Sequence, residues 1–422
     1  MKSAMRRHLP EVALDWQKLQ LPRREAIDVE LQLITPMFGG GYKPREVDLL
    51  MPIRPAAIRG HLRFWWRATA GAQYKNAEQL YNAEAAIWGG AATPENKASG
   101  KVAIQVTILD EGRAVPYAAV APRATPREGP LHGFFLFPFQ PQRDTPAAVG
   151  REGTTFRLRL LLEDGLTPQQ KLEVRNALKA WIAFGGVGAR TRRGCGALQP
   201  IGSSAYEWLL PAKLQELRAW LNSLLPNSTA EEITHTLPSL WHARVVLVEP
   251  KNDARAVWRE LGRFWARFRK GHFPEPYQPM RGGKWADYRR VLCRLRQQGT
   301  SLKLAKPHIG LPIIYQQIRR AQLCFTGRIE PVNSGRMASP VIIKPVALSD
   351  GQIAGLIAVL HAQAPQAVKI NNQRYTLSEP PKSDEPVLEA LSVSAVLDAV
   401  VKAAQLHFKM NQQDAVITIG CS

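Results

Sequence analysis

Arg59, Arg63 and Arg67 stand four residues apart in IRPAAIRGHLRFWWRA, with Arg54 just before them. At about 100° per residue these three fall within one narrow arc of a helix, while Ile58, Leu62, Trp65 and Thr69 occupy another. A planar guanidinium donates two hydrogen bonds to one phosphate, so such a row is chemistry for a phosphate backbone. A merely solvated face usually interleaves acids four residues away, and none stands there. The row therefore reads as RNA contact. Just upstream, Gly39, Gly40 and Gly41 leave the backbone open to close approach by a ligand.

A second cluster, GGVGARTRRGCG, combines Gly185, Gly186, Gly188, Gly194 and Gly196 with Arg190, Arg192 and Arg193. Backbone N–H groups freed by glycine can approach a phosphate that arginines neutralise. It is not a P-loop, because no Gly-Lys-Ser/Thr occurs. Nor is it a dinucleotide fingerprint, because it follows a helix where that motif follows a strand.

Catalysis is the competing chemistry. His61 lies on the arginine-bearing helix, but the wheel puts it across the apolar stripe from Arg59 and Arg63, out of reach for a general base serving that face. There is no H-x-x-x-H, no D-x-D and no carboxylate group near the glycine loops to hold a divalent ion. No catalytic residue, metal site or cofactor is expected, and the chain reads as a non-enzyme.

The elements that position these loops follow from periodicity. Ile27, Val29, Leu31 and Leu33 alternate with polar residues and mark a strand ahead of TPMFGGG. A helix runs from Pro55 to before Gly71, and a second, NAEQLYNAEAAIWGG, stops at Gly89. VAIQVTIL, LHGFFLFPF and TFRLRLLLE read as strands. Thr167 and Pro168 open a helix carrying Val174, Leu178, Trp181 and Ile182 on one stripe. Residues 201–238 look like a helical connector. Beyond them come a strand in ARVVLVEP, a helix over 252–270, and a basic helix at 285–297. Strands follow in AQLCFTGRI and VIIKPVAL, then one helix over 388–407 and a strand in AVITIG. Trp258, Leu261, Trp265 and Phe268 read as core, whereas Arg259, Arg263, Arg267, Arg269 and Lys270 could face RNA or an acidic protein. This order predicts an α+β fold, with a ferredoxin-like first domain at 26–200 elaborated by insertions and a second domain at 239–422 that echoes it loosely.

Composition sets the class. The 422 residues carry 56 Lys and Arg against 35 Asp and Glu, a formal net charge of +21, which points to a polyanionic partner, nucleic acid first. With 45% hydrophobic residues and 11 Trp, each half is expected to bury a full core. The four cysteines stand far apart, which fits neither a disulfide framework nor a zinc site and suits a reducing cytoplasm. No secretory signal and no membrane span are expected.

TPMFGGG followed by IRPAAIRGHLRFWWRA resembles the N-terminal signature of the first-numbered RAMP subunit of type III-B CRISPR (Cmr) effector complexes. EAAIWGG is similar to the E-x-x-x-(aromatic)-G element of RAMP proteins, and GGVGARTRRGCG to their Gly-rich loop. HIGLPI and GRMASPVIIKP, which contains Arg336, resemble that subunit's C-terminal domain. The resemblance implies two tandem ferredoxin-like (RRM-like) RAMP domains. It also implies a cytoplasmic, antiviral ribonucleoprotein in which this subunit contacts other Cmr subunits. There it holds guide RNA and its paired single-stranded target RNA near the guide 3′ end, and target cutting belongs to the repeated backbone subunit. Two rivals stand beside it: a metal-independent RAMP endoribonuclease that processes guide RNA, and a general basic RNA-binding protein.

Overall fold

The structure, a computed structural model, describes residues 24–43, 45–91, 99–121, 133–226, 237–271, 285–297, 299–315, 327–410 and 416–420. The alternation read in the first strand holds. In β1 (Arg24–Leu33), Ile27, Val29, Leu31 and Leu33 are buried and Asp28 points outward. After the first glycine loop, α1 (Pro55–Ala68) begins where Pro55 presets the helical φ and Arg54 is held extended. Then come α2 (Ala77–Trp88), capped by the Asn76 side chain, and β2 (Val102–Asp110). A ribbon of β3 (Arg113–Pro116) and β4 (Val149–Glu152) encloses the short helical turns α3 (Tyr117–Val120) and α4 (Gly133–Leu136). β5 (Thr155–Glu163), α5 (Pro168–Phe184) and β6 (Leu198–Ile201) complete this half. Thr167 and Gln170 form a reciprocal capping box at the start of α5.

These strands pair antiparallel in the order β2-β5-β1-β6. The same plan returns downstream. After α6 (Leu214–Ser223) come β7 (Ser239–Lys251), α7 (Ala254–Lys270) and, later, β11 (Val341–Ala347), β12 (Ile353–His361), α10 (Val396–His407) and β15 (Val416–Thr418). Their sheet runs β11-β12-β7-β15, again antiparallel. Between α7 and β11 lie α8 (Asp287–Arg296), β8 (Ser301–Lys303), β9 (Ile313–Tyr315) and β10 (Gly327–Pro331). Between β12 and α10 lie β13 (Ala367–Ile370), β14 (Gln373–Ser378) and α9 (Pro386–Leu391). The two insertions together build a third sheet, β8-β14-β13-β10-β9.

Three expectations are corrected. LHGFFLFPF is not a strand: its described part is α4 and a 3-10 turn, with Phe135, Leu136 and Phe139 buried. A continuous apolar run has no period to distinguish strand from helical turn. The helix expected over 388–407 is broken after Leu391. Ser392 turns left-handed, and Val393 and Ser392 N–H groups bond back to Leu388 and Glu389 carbonyls. Of 201–238, only Leu214–Ser223 forms an α-helix among the described residues, and 227–236 lie outside them, as do the first six residues of AQLCFTGRI.

The cores are also shared. One cluster joins the inner face of the first sheet, α1 and α5 to Val245, Ile342 and Leu356 on the facing side of the second sheet. A second packs the opposite face of that sheet, including Val341, Ile343 and Ile357, on α7 and α10. Sheet, helices, sheet and helices therefore stack in four layers. Because β11 is covered on both faces, Lys344 is wholly buried. It donates to the Ile182 carbonyl in the last turn of α5 at 2.9 Å, and burial brings its pKa down to about 7.

Candidate nucleic-acid interface

The arginine row of α1 turns toward α2. Arg63 Nε and Arg67 Nη1 both donate to Oε1 of Glu84, at 2.5 and 2.7 Å. Glu84 is buried, and it is the acid of EAAIWGG. Arg59 donates to the carbonyls of Trp88 and Val102, and burial, then the charge of Arg63, lowers its pKa. The acids missing from the neighbouring helical turns are replaced by one from another element. Arg59, Arg63 and Arg67 thus fasten α1 to α2 and β2, which corrects their reading as a free phosphate row. Ile58, Leu62, Trp65 and Thr69 are buried as expected.

Arg54 behaves differently. It lies half-exposed at the start of α1 and donates to the Gly40 carbonyl. That carbonyl belongs to a loop where Gly39 and Gly40 take φ of +62° and +95°, a region other residues rarely adopt. Here the two glycine-rich loops meet. A β-carbon on Gly40 would lie 3.0 Å from Gly188 Cα, and one on Gly188 would lie 2.5 Å from Met37 Cγ. The Ala189 and Gly196 N–H groups bond to the Phe38 and Pro36 carbonyls, and a β-carbon on Gly186 would strike the Gly196 carbonyl at 2.6 Å. Most of this glycine content serves backbone-to-backbone packing.

The arginines of the second loop reach into the other half. Arg193 is buried, donates to the Val341 carbonyl of β11 and lies 4.4 Å from the Trp265 ring centre. Burial, then the charges of Arg190, Arg269 and Arg192, holds its pKa well below the usual arginine value. Its own carbonyl accepts from Trp258 Nε1. Arg192 donates to the Ser339 carbonyl and stacks 5.2 Å over Phe64 of α1, and burial lowers it to about 10. Arg193 is thereby corrected from a phosphate contact to a fastener between halves. Arg190 and Arg192 stay half-buried at the rim, and Arg190 Nε donates to the Phe135 carbonyl.

HIGLPI and GRMASP join the same place. Leu311 and Met337 exchange backbone hydrogen bonds, and a β-carbon on Gly310 would meet Ser339 Cα at 3.2 Å. Exposed Arg336 lies close enough to Arg190 that its charge lowers the Arg190 pKa, after burial. Lys306, which the sequence reading did not assign to the site, belongs to this cluster too, as does Arg269, which that reading left open between RNA and an acidic protein. The charge of Arg269 bears on both Lys306 and Arg193. A helix wheel could not have placed them together, because they approach through the seam between halves. Contacts link the motif loops: Arg54 to Gly40, Gly40 to Gly188, and Arg190 by charge to Arg336.

Among the described residues, the two four-stranded sheets offer no competing surface for stacked bases. The outer face of the first sheet carries cross-strand pairs Arg159–Asp28 and Arg157–Glu30, each at 2.7 Å, and no aromatic residue at its outward positions. Base stacking on a sheet needs aromatics there. The second sheet is covered on both faces. His61 lies with its ring 6.2 Å from that of Trp181, and burial lowers its pKa. Among the described residues no group of three His, Cys, Asp or Glu gathers to hold a metal, and no helix is long and apolar enough to cross a membrane. Cys195 is buried, which raises its thiol to about 12.

Residues 30–199 match the RAMP superfamily profile. A search among curated proteins finds no match. Among solved structures, the chain is similar to apo Cmr1 from Pyrococcus furiosus, with 19% identity and a TM-score of 0.48 over 82% of this chain and 94% of that one. It is also similar to a chain of the type III-B Cmr-beta complex bound to cognate target RNA. There the identity is 13% and the TM-score 0.47, over 91% of this chain and all of that one. Cmr6 from Pyrococcus furiosus matches 42% of this chain with 98% of its own, at 16% identity and a TM-score of 0.23.

Proposed function

We propose, from a chain whose residues 30–199 match the RAMP superfamily, that this protein is a non-catalytic RNA-binding subunit of a type III-B CRISPR (Cmr) ribonucleoprotein. It holds guide RNA and paired target RNA near the guide 3′ end, beside other subunits of that complex in the cytoplasm. Its two units, 26–200 and 239–422, are ferredoxin-like, joined by 201–238. The repeated strand order β2-β5-β1-β6 and β11-β12-β7-β15, with helices between, supports that reading.

The observation that carries the proposal is the set of contacts that joins the arginine- and glycine-bearing motif loops at the seam of a chain with net charge +21. Arg54, Arg190, Arg192 and Arg336 meet phosphates there, with Gly40, Gly41 and Gly188 at the surface allowing close approach of the RNA, while buried Gly39 and Gly186 support the loops from behind. Arg63, Arg67 and Glu84 hold the helix that presents Arg54. Phosphate contacts position RNA without reading sequence, so binding is broad in sequence and steep in salt.

Fluorescence anisotropy with labelled single-stranded RNA over a salt series tests this. Affinity falling with a log–log slope of about −0.7 per phosphate bound, alike for unrelated sequences, is the expected result. A flat salt response, or specific cleavage of repeat RNA that disappears in His61→Ala, defeats it. The RNA that co-purifies with native protein separates a CRISPR subunit from a general RNA binder: discrete spacer-containing guides are expected.

A further inference from the structure

The loop between the first glycines and α1 exposes apolar side chains that the phosphate lining does not use. Tyr42 is 79% exposed, Leu49 67%, Leu50 97% and Met51 51%. Single exposed apolar residues need no explanation, but four in one loop do. The tip is built rather than slack. Asp48 Oδ1 accepts from the Leu50 and Met51 N–H groups at 3.0 and 3.1 Å, a side-chain turn that throws Leu49 and Leu50 outward. The Gly41 N–H bonds to the Glu46 carbonyl at 3.0 Å, and Arg54 closes the base of the loop on the Gly40 carbonyl.

We infer that Tyr42 and the Leu49–Met51 tip form a wedge that packs against the bases of a bound RNA, next to the phosphate held by Arg54. The inference rests on the RNA-binding reading above. Both ends of the patch adjoin that site in sequence, since Tyr42 follows Gly41 and Met51 precedes Arg54 by three positions. Four residues span at most about 14 Å, so Leu50 stays within a few nucleotides of the Arg54 contact. Leucine and methionine are side chains that separate stacked bases, and a tyrosine ring offers a stacking face. The Tyr42 ring already carries the Lys43 ammonium 5.6 Å from its centre, so a cation accompanies it.

The test uses full-length protein and single-stranded RNA carrying 2-aminopurine at successive positions. The wild-type protein is expected to brighten one or two adjacent positions as the base is unstacked. L49S/L50S is expected to lose that signal and to bind about tenfold more weakly. Its salt slope stays that of the wild type, because an apolar contact releases no counterion. Tyr42→Ala, made separately, is expected to weaken binding in the same way, and the melting temperatures of all three proteins should agree. Equal brightening and affinity in wild type and variants overturns the wedge alone, and loss of a neighbouring subunit from the complex in L49S/L50S would then assign the tip to protein contact. Absence of salt-dependent RNA binding by the wild type removes the reading beneath it as well.

Discussion

Gly40 and Gly188 meet so closely that a β-carbon on Gly40 would stand 3.0 Å from the α-carbon of Gly188. Two loops nearly 150 residues apart in the chain thereby become one surface. Each glycine also takes a φ that disfavours a side chain, +95° and +79°. Space and backbone conformation make the same demand at both positions.

Gly188→Ala is therefore expected to cost about 2–4 kcal/mol, from the left-handed backbone together with overpacking against Met37. Gly60→Ala is the contrast. Gly60 lies inside α1, is exposed and has nothing within 4 Å of a β-carbon. That change should stabilise the protein by about 0.4–1 kcal/mol. Urea denaturation of the two variants checks the pair, and equal effects would contradict this account of the loops.

Glu84 accepts from two guanidinium groups and is itself buried. Breaking a buried pair from one side leaves uncompensated charge, commonly a loss of about 3–5 kcal/mol. Arg63 and Arg67 keep 32% and 29% side-chain exposure, so water takes up part of that loss. Glu84→Ala should lose about 2–3 kcal/mol, and Arg63→Ala or Arg67→Ala clearly less, because the other arginine still satisfies the carboxylate. Chemical denaturation of the three single variants measures this; equal losses would mean that neither arginine alone satisfies the carboxylate.

Lys344 makes stability depend on pH in a calculable direction. Its pKa is about 7 in the folded protein, against an ordinary value of 10.5. Below pH 7 the group is charged in both states, and the cost of burying that charge is fully present. Above it the folded protein releases the proton while the unfolded chain keeps it, so stability rises by up to about 1.4 kcal/mol per pH unit until the unfolded group titrates. The stability of wild type relative to Lys344→Met should therefore increase by about 2.7 kcal/mol between pH 6 and 9. Denaturation at several pH values, with a pH-independent difference, would show that the ammonium is not held in this way.

Arg54 and Arg336 are the arginines whose removal should be felt by RNA rather than by the fold. Arg54→Ala with Arg336→Ala is expected to shift stability by no more than about 0.5 kcal/mol each. RNA affinity should fall for every sequence, and the salt slope should flatten by about 0.7 for each phosphate no longer held. Arg193→Ala should do the reverse, destabilising by about 2 kcal/mol or more, since it leaves the Val341 carbonyl and the Trp265 face without their cation. Melting curves and anisotropy on the same preparations separate the two classes. An Arg193 variant that folds normally and fails only in RNA binding would restore the direct role that its burial argues against.

The elements themselves were legible in the residues. β1 and β5 alternate with a period of two, α1 and α5 carry apolar stripes with a proline at the start, and Trp65, Trp181, Trp258 and Trp265 sit inside as their spacing requires. The loops that meet at Gly40 and Gly188 stood out in the residues too, because clustered glycines and arginines are unusual locally. What each arginine touches was not. The acid that meets Arg63 and Arg67 lies 21 and 17 residues away on another helix, so a search four residues either side finds nothing. Arg193 is buried only because β11, some 150 residues downstream, closes over it. Helical and strand periodicity is a property of neighbouring residues and is written in the sequence. The choice between a phosphate ligand and an internal fastener depends on which distant group arrives at the same guanidinium, and only the tertiary structure brings that group there.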